Sequence, residues 1–121
     1  MLRLNVSGAF HSPLMKVAEE GLRVELEATE FREPAFPVVS NVTGHPVDSG
    51  WMARQLLVEQ LTSPVHWVAS VRTMLAAGIT EFLEIGPGHV LTGLLRRIER
   101  SARGRPLGTE KELSAFLAGE G

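Results

Sequence analysis

One histidine lies at a point in the sequence where α/β enzymes often hold catalytic groups. His11 stands in Val6-Ser-Gly-Ala-Phe-His-Ser-Pro-Leu-Met15, directly before a helix start that Ser12 can cap and Pro13 can begin. Residues 2–6 alternate apolar and polar, as a half-buried strand does. His11 is therefore expected between a strand and a helix N-terminus, where its neutral, basic form is favoured. The pattern alone leaves both a catalytic or binding role and a structural one open.

A glycine-rich turn is the second candidate site. Gly86-Pro87-Gly88 follows an apolar segment and precedes another predicted helix. Exposed N–H groups at a helix start attract anions, so the turn could cradle a phosphate. It lacks the full glycine spacing of a dinucleotide or P-loop site, and Pro87 removes one donor. A tight strand-to-helix turn that lines a neighbouring site is the favoured interpretation.

Basic residues cluster near the end of the chain. They can contact an acidic protein or the phosphates of a coenzyme, or they can simply complement a helix C-terminus and a solvated loop, which we favour. The cluster comprises Arg96, Arg97, Arg100, Arg103 and Arg105. The remaining histidines, His45, His66 and His89, show no paired spacing, so no metal site is predicted.

The composition sets limits on the class of protein. The chain has 121 residues, 44% hydrophobic and 21% charged, with a net charge of −2 and no cysteine. This balance predicts one small globular domain with no nucleic-acid or membrane partner, and it excludes disulfides and thiolate sites. No signal peptide is evident, and a cytoplasmic location is expected.

Hydrophobic periodicity, caps and turn residues predict an α/β fold with short, mostly parallel strands flanked by helices. Strands are expected at residues 2–6, 38–42 and 82–85, with a brief one at 105–107. Helices are expected at about residues 13–28, 51–61, 65–77, 90–100 and 110–118, the last beginning in a capping box that starts at Thr109. No Gly-x-Ser-x-Gly elbow occurs, so a serine nucleophile for His11 is not found in the chain.

Four stretches, taken in order, resemble one enzyme family. They are the His11 motif, Pro37-Val-Val-Ser-Asn-Val42, Glu59-Gln-Leu-Thr-Ser-Pro-Val-His-Trp67 and Glu84-Ile-Gly-Pro-Gly-His-Val-Leu-Thr-Gly-Leu94. The chain resembles the C-terminal part of the malonyl-CoA:acyl carrier protein transacylases, acyltransferases of fatty acid biosynthesis. The resemblance implies that residues 1–121 form part of an α/β-hydrolase-like acyltransferase domain with an inserted ferredoxin-like subdomain. His66 and His89 depart from the family, which more often has Arg and Lys there.

The resemblance also implies a reaction and its residues. Malonyl passes from malonyl-CoA to a serine, and from there to the phosphopantetheine thiol of acyl carrier protein, with no metal or cofactor. His11 matches the general base that activates the serine, and the backbone carbonyl of Gln60 matches the group that orients this base. Phe10 matches a position where a bulky ring accompanies malonyl selectivity, because it crowds an α-methyl branch.

In this family the serine elbow, the arginine that pairs with the malonyl carboxylate, an oxyanion donor and the small subdomain all precede the matched region. We therefore expect the chain to be inactive alone and to require a complementary N-terminal half. The alternative is a non-catalytic acyltransferase remnant that binds carrier protein or coenzyme A. Either way, unpaired sheet edges and exposed apolar faces predict marginal stability or self-association.

Overall fold

A computed structural model of the chain describes residues 13–119. The chain divides into two compact units, Met1–Thr73 and Met74–Gly121. The predicted strand at residues 2–6 and the motif residues Phe10 and His11 lie outside the described residues. Among residues 13–119, no helix combines the length and the apolar character that a membrane span requires.

The described part of the first unit is helical. A 3₁₀ turn at Pro13–Met15 leads into α1 (Lys16–Glu27), which packs on α2 (Gly50–Gln60), and α3 (Trp67–Ala76) follows. α2 begins where its cap predicts, because the backbone N–H of Met52 donates to Ser49 Oγ at 3.1 Å. Apolar side chains at the start of this helical segment are uncovered, since Leu14 of the 3₁₀ turn is 77% exposed and Val17 of α1 is 93% exposed.

The prediction of a strand at residues 38–42 is wrong. The structure has a single antiparallel bridge between Val39 and Pro46 there, flanked by the hydrogen bond from Val47 N–H to the Val38 carbonyl (2.8 Å). A tight turn reverses the chain directly after the bridge, with Gly44 N–H donating to the Ser40 carbonyl at 2.8 Å. The apolar run is therefore too short to propagate a ladder before its own turn residues end it.

The second unit is a parallel strand pair with helices. β1 (Glu81–Ile85) pairs in parallel with β2 (Arg103–Leu107), and α4 (Val90–Ile98) connects them. α5 (Glu110–Leu117) follows β2 and starts at the predicted cap, where Glu112 N–H donates to Thr109 Oγ1 at 3.1 Å. This confirms the α/β class with short parallel strands flanked by helices.

The two faces of this sheet contact different helices. Gly104 of β2 lies against Leu95 and Thr92 of α4, whereas the next residue, Arg105, reaches over the ring of Phe116 in α5. Successive strand residues face opposite sides of a sheet, so α4 and α5 lie on opposite faces. Among the described residues of this unit, Leu95 is the hydrophobic residue that is buried.

The strand β1 leaves apolar surface uncovered. Leu83 is 47% exposed and Ile85 is 81% exposed, on the side of β1 that points away from α4. Within residues 13–119 the sheet has only two strands, so one edge of β1 has no strand partner. Because parallel sheets are normally covered on both faces, we expect this uncovered surface to promote association.

We expect the substitution Ile85→Lys to reduce self-association of the chain, because it places a charge on the uncovered sheet face. Leu117→Lys is the matched control, since Leu117 is similarly exposed (75%) but lies at the end of α5. Sedimentation velocity across a concentration series measures the effect. Equal behaviour of the two variants, or a wild-type chain that stays monomeric throughout, would contradict this assignment.

Candidate functional site

Of the residues that sequence analysis singled out as catalytic, the structure describes Gln60. It is the last residue of α2, and the helix closes there through hydrogen bonds from Leu61 and Thr62 N–H to the Val58 and Glu59 carbonyls (3.3 and 3.2 Å). Carbonyl groups at a helix C-terminus point along the axis and carry the negative end of the helix dipole. A main-chain acceptor that faces an imidazolium would be well placed at such a position.

Gln60 is half-buried and lines an apolar cavity of about 280 Å³ in the first unit. Most of the lining comes from the bridge segment and from the inner side of α2. The other lining residues are Val38, Val39, Ser40, Asn41, Val47, Ala53, Leu56 and Leu57. The second and third motif stretches of the sequence therefore meet at one cavity.

Glu84 organises the passage from β1 to α4. Its carboxylate accepts hydrogen bonds from the backbone N–H of Thr92 (2.8 Å), the Thr92 hydroxyl (2.8 Å) and the backbone N–H of Leu91 (3.1 Å). The side chain of the N-cap residue, His89, makes no capping hydrogen bond. A carboxylate from the preceding strand thus satisfies the N–H groups that a helix start leaves open.

This arrangement decides between the two interpretations of the glycine turn. The first-turn donors of α4 that would hold a phosphate already serve Glu84. Gly86 and Gly88 adopt positive φ values of 127° and 89°, which only glycine reaches easily, so the turn is tight. It acts as a strand-to-helix turn and not as a phosphate cradle built on these donors.

Partial burial acts to raise the pKa of Glu84. The hydrogen bonds from Thr92 and Leu91, together with the charge of His89, outweigh this effect and hold the pKa below its usual 4.5. Glu84 was not among the candidate residues found in the sequence. The signal was an acidic residue inside an apolar strand, directly before a turn and a helix start.

A close backbone approach fixes the other side of the turn. A Cβ at Gly108 would overlap the carbonyl group of Gly86, so the chain after β2 lies directly against the turn after β1. The Gly108 N–H also donates to Glu112 Oε1 at 3.2 Å. The predicted capping box is therefore corrected in one detail: Glu112 accepts from Gly108 and not from the N-cap residue Thr109.

The arginine cluster does not form one surface. Arg96, Arg100 and Arg103 line a cavity, while Arg105 lies over the Phe116 ring at 5.2 Å. Within the part of the chain that the structure describes, no three histidine or carboxylate side chains are grouped closely enough to hold a metal ion.

We expect Glu84→Gln to lower the Tm at neutral pH and to flatten its acid dependence. Because the pKa of Glu84 is lower in the folded than in the unfolded chain, the carboxylate stabilises the fold above about pH 4.5. This contribution is lost as the pH falls through the lowered folded pKa. Glu81→Gln, on the same strand but exposed, is the control. If the Tm of wild type and the Tm of Glu84→Gln fell by the same amount between pH 7 and pH 3, this role of Glu84 would be refuted.

We expect Gly108→Ala to destabilise the fold by about 1–3 kcal/mol, because the new methyl group must displace backbone at Gly86. Gly93→Ala, within α4 and with open space around its Cβ position, should be neutral or stabilising by about 0.5–1 kcal/mol. Urea titration measures both. A Gly108→Ala variant as stable as wild type would show that the chain after β2 does not lie against the turn after β1.

Comparison with known proteins connects this geometry to a family. No protein-family profile matches the chain. A malonyl CoA-acyl carrier protein transacylase of Bacillus subtilis is 40% identical over 110 residues, which is 91% of this chain and 28% of that protein. The polyketide biosynthesis malonyl CoA-acyl carrier protein transacylase PksC of B. subtilis is 43% identical over 106 residues, 88% of this chain and 36% of that protein.

Solved structures agree. The transacylase from Xanthomonas oryzae superposes with a TM-score of 0.86 at 40% identity, covering 96% of this chain and 37% of that one. The Streptococcus pneumoniae enzyme gives a TM-score of 0.88 at 34% identity, over 96% of this chain and 38% of that one. The chain spans about a third of the length of these relatives. It is thus a homologue of part of the malonyl CoA-acyl carrier protein transacylases, and the resemblance predicted from its motifs is confirmed.

Proposed function

We propose that this chain forms part of a transferase that moves malonyl from malonyl-CoA to acyl carrier protein, and that it supplies the general base, His11. The observation that carries the proposal is similarity to transacylases along 91% of the chain at 40% identity. The spacing of the His11 motif ahead of the other three motif stretches supports it. The proposed reaction takes place in the cytoplasm and uses no metal or cofactor.

The chemistry assigns one proton to His11 in each half-reaction. His11 accepts the proton of the serine hydroxyl as the serine oxygen attacks the malonyl thioester, and it returns this proton to the departing coenzyme A sulfur. In the second half-reaction the phosphopantetheine thiol gives its proton to His11 and attacks the malonyl ester. The proton then passes to the serine oxygen, which restores both groups.

Gln60 is proposed to orient His11 through its main-chain carbonyl. Its place at the C-terminal end of α2 supports this role, since the negative end of the helix dipole stabilises a transient imidazolium. An acceptor made of backbone holds one ring nitrogen protonated and leaves the other free to act as the base. This arrangement needs no acidic partner in the sequence.

Acyl carrier protein is the proposed acceptor. One solved relative is a malonyl-transacylase in complex with a type II PKS acyl-carrier protein, with a TM-score of 0.86 and 40% identity to this chain. That complex supports a carrier protein as partner of the assembled enzyme to which this chain would belong.

The serine-bearing part of the enzyme is proposed to be a complementary N-terminal half. The matched solved relatives have nearly two-thirds of their length outside the match, since the chain covers 37–38% of them. Each unit of this chain leaves apolar surface for such a partner: Leu14 in the 3₁₀ turn and Val17 on α1 in the first unit, and Leu83 and Ile85 on β1 in the second. These surfaces would be covered in the assembled enzyme.

Malonyl transfer to carrier protein, measured with this chain alone and mixed with a serine-elbow half, tests the proposal. We expect activity only in the mixture, reduced by about 10²–10⁴ in His11→Ala because the proton acceptor is lost. Gln60→Ala is the matched control: it keeps the carbonyl and should retain most of the activity. No transfer in any mixture would leave the alternative, a non-catalytic remnant that binds carrier protein or coenzyme A.

Phe10 is proposed to favour malonyl over methylmalonyl by crowding the α-methyl branch. We expect Phe10→Ser to raise the relative kcat/KM for methylmalonyl-CoA by about 10-fold or more, the scale of one methyl group in a fitted pocket. Competition between the two thioesters in the reconstituted mixture measures the ratio. A ratio unchanged by the substitution would remove Phe10 from the acyl pocket.

A further inference from the structure

Five arginines and a single glutamate lie between positions 96 and 105. The structure separates these arginines by position. Arg96, Arg100 and Arg103 are among the residues that line a cavity of about 300 Å³ between α4 and the start of β2, which Arg97 does not line. The other lining residues are Thr92, Leu95, Ala102 and Gly104.

The cavity has strong positive charge without a matching negative one. No carboxylate lines it, and among the described residues Arg96 and Arg100 form no ion pair. Arg103 shares the sheet face of Arg105, opposite α4, and its guanidinium lies 3.9 Å from Glu81, so the charge at the cavity comes from Arg96 and Arg100. Thr92 cannot add a donor, because its hydroxyl proton goes to Glu84. The like charges of Arg96 and Arg100 at one cavity repel each other, and a bound anion would relieve this repulsion.

We propose that this cavity binds the phosphate or diphosphate group of a small ligand. Guanidinium groups hold phosphate oxygens through paired, charge-assisted hydrogen bonds, and Arg96 and Arg100 both line this concavity. Its volume is that of a small-ligand pocket, at the lower end of a range of about 300–1,000 Å³. This concave shape favours a compact phosphate group over the broad surface of an acidic protein.

The site lies at the beginning of the sheet. Arg103 pairs with Glu81 in the strand register, whereas the glycine turn follows Ile85 at the other end of β1. The phosphate site is therefore distinct from the Glu84 turn, and it goes beyond the proposed transfer reaction.

Titration of the full 121-residue chain with inorganic pyrophosphate, followed by calorimetry at constant ionic strength, tests the proposal. We expect saturable binding of one pyrophosphate, with weaker binding of inorganic phosphate. Arg96→Gln/Arg100→Gln should weaken it by about tenfold or more, the effect of losing charge-assisted hydrogen bonds. Arg97→Gln removes the same charge from the same helix but not from the cavity, and should change affinity by less than about twofold.

Each outcome decides the question. Absence of saturable pyrophosphate binding to a cooperatively melting wild-type chain overturns the proposal, as does an equal loss in Arg97→Gln, which would indicate only general charge. Binding of acidic carrier protein that depends on Arg96 and Arg100, without pyrophosphate binding, would assign the surface to a protein instead. If the double variant fails to melt cooperatively, Arg100→Gln replaces it, because Arg100 lies beyond the end of α4.

Coenzyme A and pyrophosphate, compared in the same titration, identify the source of the phosphate. Tighter binding of coenzyme A, with the same dependence on Arg96 and Arg100, supports the site with a coenzyme as its ligand. Equal affinities support it with a free phosphate species. Neither measurement requires malonyl transfer, so a failed transfer assay leaves this result interpretable.

Discussion

The carboxylate of Glu84 is the contact on which the described part of the second unit depends. A parallel pair of strands needs a crossover, and here the crossover is the helix α4, which begins directly after a tight turn. Three hydrogen bonds of 2.8–3.1 Å tie the start of that helix to the strand before it. With the helix fixed at its start, Leu95 and Thr92 can pack on Gly104 of β2. Glu84 thus fixes the start of the covering helix relative to the strand pair.

The same constraint limits what the glycine turn can do. The first-turn N–H groups of α4 donate to the carboxylate of Glu84, so these groups already have a hydrogen-bond partner within the chain. The approach of Gly108 to the Gly86 carbonyl narrows the turn further. The Gly-Pro-Gly stretch therefore has a structural role as a tight turn. The unpaired positive charge of this unit, at the arginine cavity, lies at the other end of the strands. This separation is the basis for assigning a phosphate group to the arginine cavity.

Local signals predicted most of the elements. Ser49 and Thr109 each cap the helix that their spacing predicts, and Gly78 adopts the positive φ of 92° expected after a helix C-terminus. The strand prediction at residues 38–42 failed because it gave more weight to their apolar, β-branched composition than to the turn residues that follow. Long-range contacts were beyond local patterns: the bond from Thr92 to Glu84 and the division of the arginines both depend on how strands and helices pack. The family motifs predicted the function, because no spacing rule connects a lone histidine to acyl transfer.

Formation of the malonyl-serine ester in a single turnover tests directly whether His11 acts as the general base. The reconstituted mixture of this chain with a serine-elbow half would be reacted with malonyl-CoA and quenched. We expect the ester to form with the wild-type chain and to be strongly reduced with His11→Ala. Added imidazole, which can replace the missing base, should partly restore ester formation in that variant. Ester formation at an undiminished rate in His11→Ala would show that this chain does not supply the general base.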